Sequence, residues 1–305
     1  MLARIPDAAT RRRIGPATMT PDEYCQQKAA RSGSSFYYAF LFLPPERRRA
    51  ITALYAFCRE VDDIVDEVGE ASVARMKLAW WRSQVDLMFD GTPDHPVAIA
   101  LSGHVRAFGL QPGPFYAVIE GMEMDLDQFR YADWPALKEY CWRAAGVVGD
   151  LSAGIFGHTD PRTLEYAETL GLAFQMTNII RDVGDDARRG RIYLPADDMA
   201  RHGVTVDDIL DGHYTENFQA LMRQQTERAR GLYRDAMRAL PEADRRAQRP
   251  GLMMAAIYAA LLDEIERDGW HVLNQRIALT PIRKFWLAWK TWVGGGRGLV
   301  RDLAK

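Results

Sequence analysis

Residues 58–67 read CREVDDIVDE. On a helix, side chains four positions apart share a face, so Asp62 and Asp66 point the same way, with Asp63 beside them. Like charges at that spacing destabilise a helix by about 0.2–0.5 kcal/mol. Extending the register backward adds Arg59 and Tyr55, and the four residues form one polar stripe. Two carboxylates on a stripe suit a hard divalent cation, which takes oxygen ligands, keeps several waters and is commonly shared with a substrate phosphate. The arginine one turn earlier suits phosphate oxygens. An acidic, solvated helix end is the bland alternative, and this stretch alone does not separate the two.

A second stretch repeats the arrangement. Residues 175–186 read QMTNIIRDVGDD. Gln175, Asn178, Asp182 and Asp186 follow spacings of three and four, and Arg181 adjoins Asp182. Most other positions nearby are apolar (Leu170, Leu172, Phe174, Met176, Ile179, Ile180). Polar groups on such a helix need partners, because unpaired burial costs about 1–3 kcal/mol each. Two facing stripes would clamp magnesium ions, or manganese in their place. A polar network that only fixes helix packing is the alternative. Downstream, residues 188–195 read RRGRIYLP, a basic, turn-like run placed where a flap would close over phosphates. A solvated charge run is the competing reading. Asp125, Tyr140 and Tyr258 stand among apolar neighbours, where a tyrosine is most often a core residue with its hydroxyl satisfied.

The rest of the chain reads as helix. The cap-like Thr20-Pro21-Asp22-Glu23 and Pro44-Pro45-Glu46 open two helices. Further segments are predicted at 71–90, 94–108, 113–130, 133–157, 160–187, 216–240, 250–277 and 281–292, and strand and hairpin signals are missing. The expectation is all-α: a single large bundle of about ten helices spanning 19–280, after a disordered tail at 1–18. Of 305 residues, 48% are hydrophobic, enough for a large core. The formal net charge of −2 gives no field for nucleic acid. No apolar run reaches the ~18 residues of a membrane span. Cys25, Cys58 and Cys141 are scattered and odd in number, so no disulfide or zinc framework is expected, and a cytoplasmic setting fits. The 281–305 segment mixes Phe285, Trp286, Trp289 and Trp292 with Arg283, Lys284 and Lys290. That mixture suits a peripheral contact at the inner membrane face or a terminal helix packed by its tryptophans.

Six dispersed motifs, in order, resemble the squalene and phytoene synthase family over roughly 19–280. They are Gly33-Ser34-Ser35-Phe36-Tyr37, the run Tyr55 to Asp66, Met124-Asp125-Leu126, YCWRAAGVVG at 140–149, Gln175 to Asp186, and Arg191-Ile192-Tyr193-Leu194-Pro195. The resemblance implies an all-helical isoprenoid synthase fold with a central hydrophobic cavity. It implies that Asp62, Asp66, Asp182 and Asp186, with Asn178, hold magnesium, and that Tyr55 and Arg59 join those acids in catalysis. It assigns substrate binding to Ser35, Phe36, Asp125, Tyr140, Gln175, Asn178, Arg181, Arg191, Tyr193, Tyr258 and Arg276. FLFLPPERRRAITALYAFCREVDD and IYAALLDEIERDGW look most like the bacterial presqualene diphosphate synthases of hopanoid pathways. Those join two farnesyl diphosphates head to head, release diphosphate, need no NADPH and hand their product to downstream isoprenoid enzymes. Phytoene, squalene and dehydrosqualene synthases share nearly every motif. The NIIRDVGDD and RIYLP wording argues against a terpene cyclase or chain-elongating transferase, and the retained acids argue against a non-catalytic assembly factor.

Overall fold

The computed structural model describes residues 19–31, 36–67 and 69–304; the tail at 1–18 and Ser35 lie outside them. Fifteen α-helices are found among the described residues. The first eight are α1 (Pro21–Arg31), α2 (Phe36–Phe40), α3 (Pro45–Glu67), α4 (Ala71–Asp90), α5 (Pro96–Val105), α6 (Pro112–Asp127), α7 (Trp134–Cys141) and α8 (Val147–Phe156). The others are α9 (Arg162–Arg188), α10 (Ala196–Arg201), α11 (Val206–Leu210), α12 (Glu216–Ala239), α13 (Arg249–Arg267), α14 (Pro281–Gly294) and α15 (Arg297–Leu303). No strand occurs among the described residues, only an isolated parallel bridge between Arg130 and Ile192. The all-α expectation holds, and the short helices α2, α10, α11 and α15 are additions to it.

The central pillar is α9, with 27 residues and hence about 40 Å long. It packs against α8, α12 and α13, and apolar side chains on most of its faces are buried. Glycine sets its closest crossing. A Cβ on Gly171 would lie 2.4 Å from the Ala145 carbonyl, and one on Gly149 would lie 2.1 Å from that of Ala167. Only hydrogen fits at either point, so the two backbones touch. The same crossing breaks the predicted 133–157 helix: a π-helical turn at Trp142–Gly146 separates α7 from α8, as such turns do near functional sites.

The predicted 250–277 helix is too long. α13 ends at Arg267, where Gly269 (φ 76°) and then Trp270 (φ 58°) turn left-handed. A left-handed bulky residue is strained and persists only where its surroundings hold it. Here the buried indole of Trp270 donates to Thr226 Oγ1 on α12 at 2.9 Å. The chain is thereby turned back across the end of α9.

Candidate active site

α3 and α9 both carry their acids in the last turns before their C-termini. A helix C-terminus is the negative end of the macrodipole, so these positions are unfavourable for carboxylates on two counts. All four acids, Asp62, Asp66, Asp182 and Asp186, line one cavity of about 920 Å³. Tyr55, Arg59, Phe36, Asp125, Tyr140, Gln175, Asn178, Arg181, Arg191, Tyr193, Tyr258 and Arg276 line it too. Every sequence-assigned site residue that is described therefore faces a single space. Earlier residues of the same helices, such as Ile51, Leu54, Tyr166 and Leu170, supply its apolar walls.

On α3, Arg59 donates to Asp62 and Asp63 through separate guanidinium nitrogens. Asp63 also pairs with Lys28 of α1 at 2.9 Å, so it fastens the stripe to α1. Burial pushes the Asp62 carboxyl up to about 6; Arg59 opposes this and Asp66 adds to it. Asp66 accepts from Arg189 Nη1 at 2.9 Å and Arg191 Nη1 at 3.1 Å. Arg191 Nη2 also donates to the Val65 carbonyl at 3.1 Å, one of the last on α3.

On α9 the pairing differs. Asp182 accepts from Arg181 Nε at 2.7 Å and from Arg276 Nε at 2.8 Å. Burial would raise its carboxyl, but the two guanidinium groups hold it below the ordinary value. Arg276 arrives on the turned-back segment after α13. Gly184 N donates to the Val272 carbonyl at 3.2 Å, and a Cβ on Gly184 would stand 2.0 Å from the Leu273 carbonyl. The glycine inside RDVGDD is thus the seat for the backbone that delivers Arg276. Asp186 has no ion pair among the described residues; burial, then the charge of Asp182, pushes it up to about 7. The Asn178 Oδ1 is buried with no hydrogen-bond partner among the described residues.

The basic run at 188–195 is not a free flap. Ile192 N donates to Phe129 O at 3.0 Å, Ala196 N to Tyr131 O at 2.9 Å, and Arg130 Nη1 to Gly190 O at 2.7 Å. These bonds make it a fixed strap that holds Arg189 and Arg191 over Asp66. Beneath it Asp125, 4% exposed, accepts from Tyr140 Oη at 2.9 Å and Tyr193 Oη at 2.7 Å. Burial raises its carboxyl to about 6, against those two bonds and Arg191. Tyr140 and Tyr193 stack at 5.1 Å, and both are buried with their hydroxyls satisfied by Asp125 while lining the cavity.

Below the acids an aromatic collar surrounds the cavity. Phe36 lies 5.7 Å from Tyr55 and 6.3 Å from Tyr258, and Phe174 lies 4.8 Å from Tyr258. Sequence reading took Phe174 as core, although it precedes Asn178 by four and Arg181 by seven, on the polar face. It also missed Arg189 as an ion-pair partner and Lys28 as an anchor.

Among the described residues, no three His, Cys, Asp or Glu side chains converge to hold a metal ion. The donor chemistry nonetheless fits magnesium. The stripes offer only oxygens, the Asn178 oxygen lacks a partner, and magnesium completes its shell with water and phosphate.

α14 turns Ala288 and Thr291 inward, and Trp292 packs on Phe42 at 5.4 Å. Ile282 (82% exposed), Trp286, Trp289 and Val293 form an uncovered outer face. No helix among the described residues is long and apolar enough to cross a membrane.

The squalene/phytoene synthase family profile matches residues 29–283. The chain is 38% identical to the phytoene synthase of Arthrospira platensis over 283 residues, which cover 88% of this chain and 92% of that one. It is 35% identical to the chloroplastic phytoene synthase of Narcissus pseudonarcissus over 88% of this chain, but spans only 66% of that protein's length. A solved dehydrosqualene synthase in complex with ligand superposes with a TM-score of 0.81 at 28% identity, covering 90% of this chain and 96% of that one. The squalene synthase HpnC from Alicyclobacillus acidocaldarius gives 0.71 at 30% identity, covering 82% and 94%.

Proposed function

The chain belongs to the squalene/phytoene synthase family of prenyltransferases, and on that premise we propose that it joins two farnesyl diphosphates head to head into presqualene diphosphate. The observation that carries this reading is that two acid stripes, one on α3 and one on α9, line a single cavity together with apolar and aromatic side chains. Asp62, Asp66, Asp182, Asp186 and Asn178 are the residues that would hold magnesium, which when bound supplies positive charge to the diphosphates. Arg59, Arg181, Arg191 and Arg276 add fixed positive charge where the leaving group departs, and such preorganised stabilisation is usually the largest catalytic contribution. In the proposed reaction the C1–O bond of one farnesyl diphosphate breaks, and its electron pair leaves with diphosphate. The double bond of the second substrate attacks the allylic cation, a proton is lost, and a cyclopropane closes. The faces of Phe36, Tyr55, Phe174 and Tyr258 suit the passing positive charge. The apolar walls exclude water that would capture it. The product keeps one diphosphate and is not reduced, so no NADPH enters; reduction falls to downstream isoprenoid enzymes, as in hopanoid synthesis.

A second reading is condensation of two geranylgeranyl diphosphates to phytoene, which the similarity to phytoene synthases favours. Mass analysis of lipids formed from each substrate with magnesium, with and without NADPH, separates the readings. A C30 cyclopropyl diphosphate from farnesyl diphosphate, indifferent to NADPH, is the expected result. A C40 hydrocarbon alone moves the assignment to phytoene; squalene formed only with NADPH moves it to squalene synthesis. No product from either substrate removes the enzymatic reading and favours a binding or assembly role.

The outer face of α14 is proposed to rest on the membrane, keeping the oily substrates and product close. Lys284 of α14 lines the cavity, so this contact sets the cavity beside the lipid. Replacing Trp286 and Trp289 by serine is expected to weaken co-sedimentation with anionic liposomes while leaving the circular dichroism spectrum unchanged. Unchanged sedimentation removes the contact.

A further inference from the structure

The cavity has a far end, and the helices framing it measure how far away that end lies. On α9, Tyr166 precedes Asp182 by sixteen residues, about 24 Å along the axis. Phe174 stands midway, paired with Tyr258 of α13. Gly251 precedes Tyr258 by seven residues, about 10 Å along α13. A Cβ built on Gly251 would stand 2.8 Å from the Tyr166 hydroxyl. Tyr166 and Gly251 are therefore a second rung below the Phe174–Tyr258 rung, and both line the cavity.

Tyr166 is 1% exposed, and its hydroxyl has no hydrogen-bond partner among the described residues. An unpaired buried hydroxyl costs stability, so this oxygen does not serve the fold by bonding. What it supplies is length: it reaches into the space left by the missing side chain of Gly251. The surroundings are stiff. Asp244 accepts from Thr159 N at 2.9 Å and Thr163 Oγ1 at 2.7 Å, and Gln248 Nε2 donates to the Gly157 carbonyl at 3.0 Å. These bonds pin the start of α9 and the approach to α13, so the lower rung does not simply give way to a longer ligand.

We infer that the Tyr166–Gly251 pair is the stop that sets how long an isoprenoid tail the cavity accepts. The inference rests on the condensation reading and adds to it the residues that choose chain length. Removing the phenol opens room past the lower rung. Adding a methyl at Gly251 pushes the phenol into the cavity. The two changes therefore act in opposite directions on the same selectivity.

The test uses the whole chain with magnesium and a competing mixture of farnesyl and geranylgeranyl diphosphates. The readout is the ratio in which the two are consumed, which does not depend on how much protein is folded. Tyr166→Ala is expected to shift the ratio toward geranylgeranyl diphosphate by about tenfold or more, the scale on which apolar pockets discriminate by size. Gly251→Ala is expected to shift it toward farnesyl diphosphate. Adding Tyr166→Phe to Gly251→Ala is expected to restore the wild-type ratio, because the oxygen that meets the new methyl is gone. If Tyr166→Ala turns over substrate with the wild-type ratio, the stop lies elsewhere and the inference is overturned while the condensation reading stands. If the wild-type protein consumes neither substrate, the condensation reading fails and the inference falls with it.

Discussion

On α3 the inner acid pairs within its own helix, with Arg59, and the outer acid is the one paired from outside it. Asp66 is held by Arg189 and Arg191 from the strap, while burial lifts the inner Asp62 to about 6 despite Arg59. On α9 the order is reversed. The inner Asp182 is held by Arg181 and Arg276, and the outer Asp186, with no ion pair among the described residues, rises to about 7. The two stripes share a spacing and a helix end, yet each leaves a different member under stress. The difference teaches that spacing places the acids, whereas burial, together with the arginines that reach each stripe, decides which acid is pushed up.

The largest expected effect tests whether both stripes are needed. Asp62→Asn and Asp182→Asn should each lower turnover by about a hundredfold or more, with helicity unchanged by circular dichroism. A near-wild-type rate in either variant would mean that one stripe suffices, and the facing-stripe site would be wrong.

A smaller effect is expected on one stripe alone. Gly184→Ala puts a methyl into the Leu273 carbonyl and should cost about 1–3 kcal/mol in denaturant unfolding. It should also lower turnover by displacing Arg276 from Asp182. An unchanged midpoint would show that the 272–276 segment does not need its seat on α9.

The smallest effect compares the two outer acids in the ligand-free protein. The carboxyl of Asp186 has an ordinary value of 3.8 and a folded value of about 7. Between those limits the unfolded chain has released a proton that the folded chain keeps, so this group lowers stability as pH rises through that window. Asp186→Asn should therefore raise the melting temperature by about 2–4 °C at pH 8 and leave it unchanged near pH 4. Asp66→Asn, which breaks two ion pairs, should give no gain at pH 8. Equal behaviour of the two variants would erase the contrast between the stripes.

Both stripes were legible in the sequence because helical periodicity fixes which side chains share a face. The all-α class and the residues facing the cavity follow from the same periodicity and from the motifs. What fastens the site was not legible. The left-handed turn at Trp270 depends on a hydrogen bond to Thr226, and the strap depends on pairing with residues 129–132. Both are contacts between distant parts of the chain, and no local pattern encodes them. Gly184 could be read as a glycine in a helix, but not as a seat, because its partner lies near Leu273. Tyr166 carried no signal, since a tyrosine beside apolar residues looks the same whether it fills a core or closes a cavity.

The arginines on these acids have a consequence for how the enzyme loads. In the free protein Arg59, Arg191 and Arg276 are engaged with carboxylates. A cation that took over those carboxylates would release the guanidinium groups, which would then be available for phosphate oxygens. Each ligand would thus prepare the other's berth, and their affinities are expected to rise together by the same factor in both directions. Titrating inorganic pyrophosphate with and without magnesium would measure that reciprocity directly.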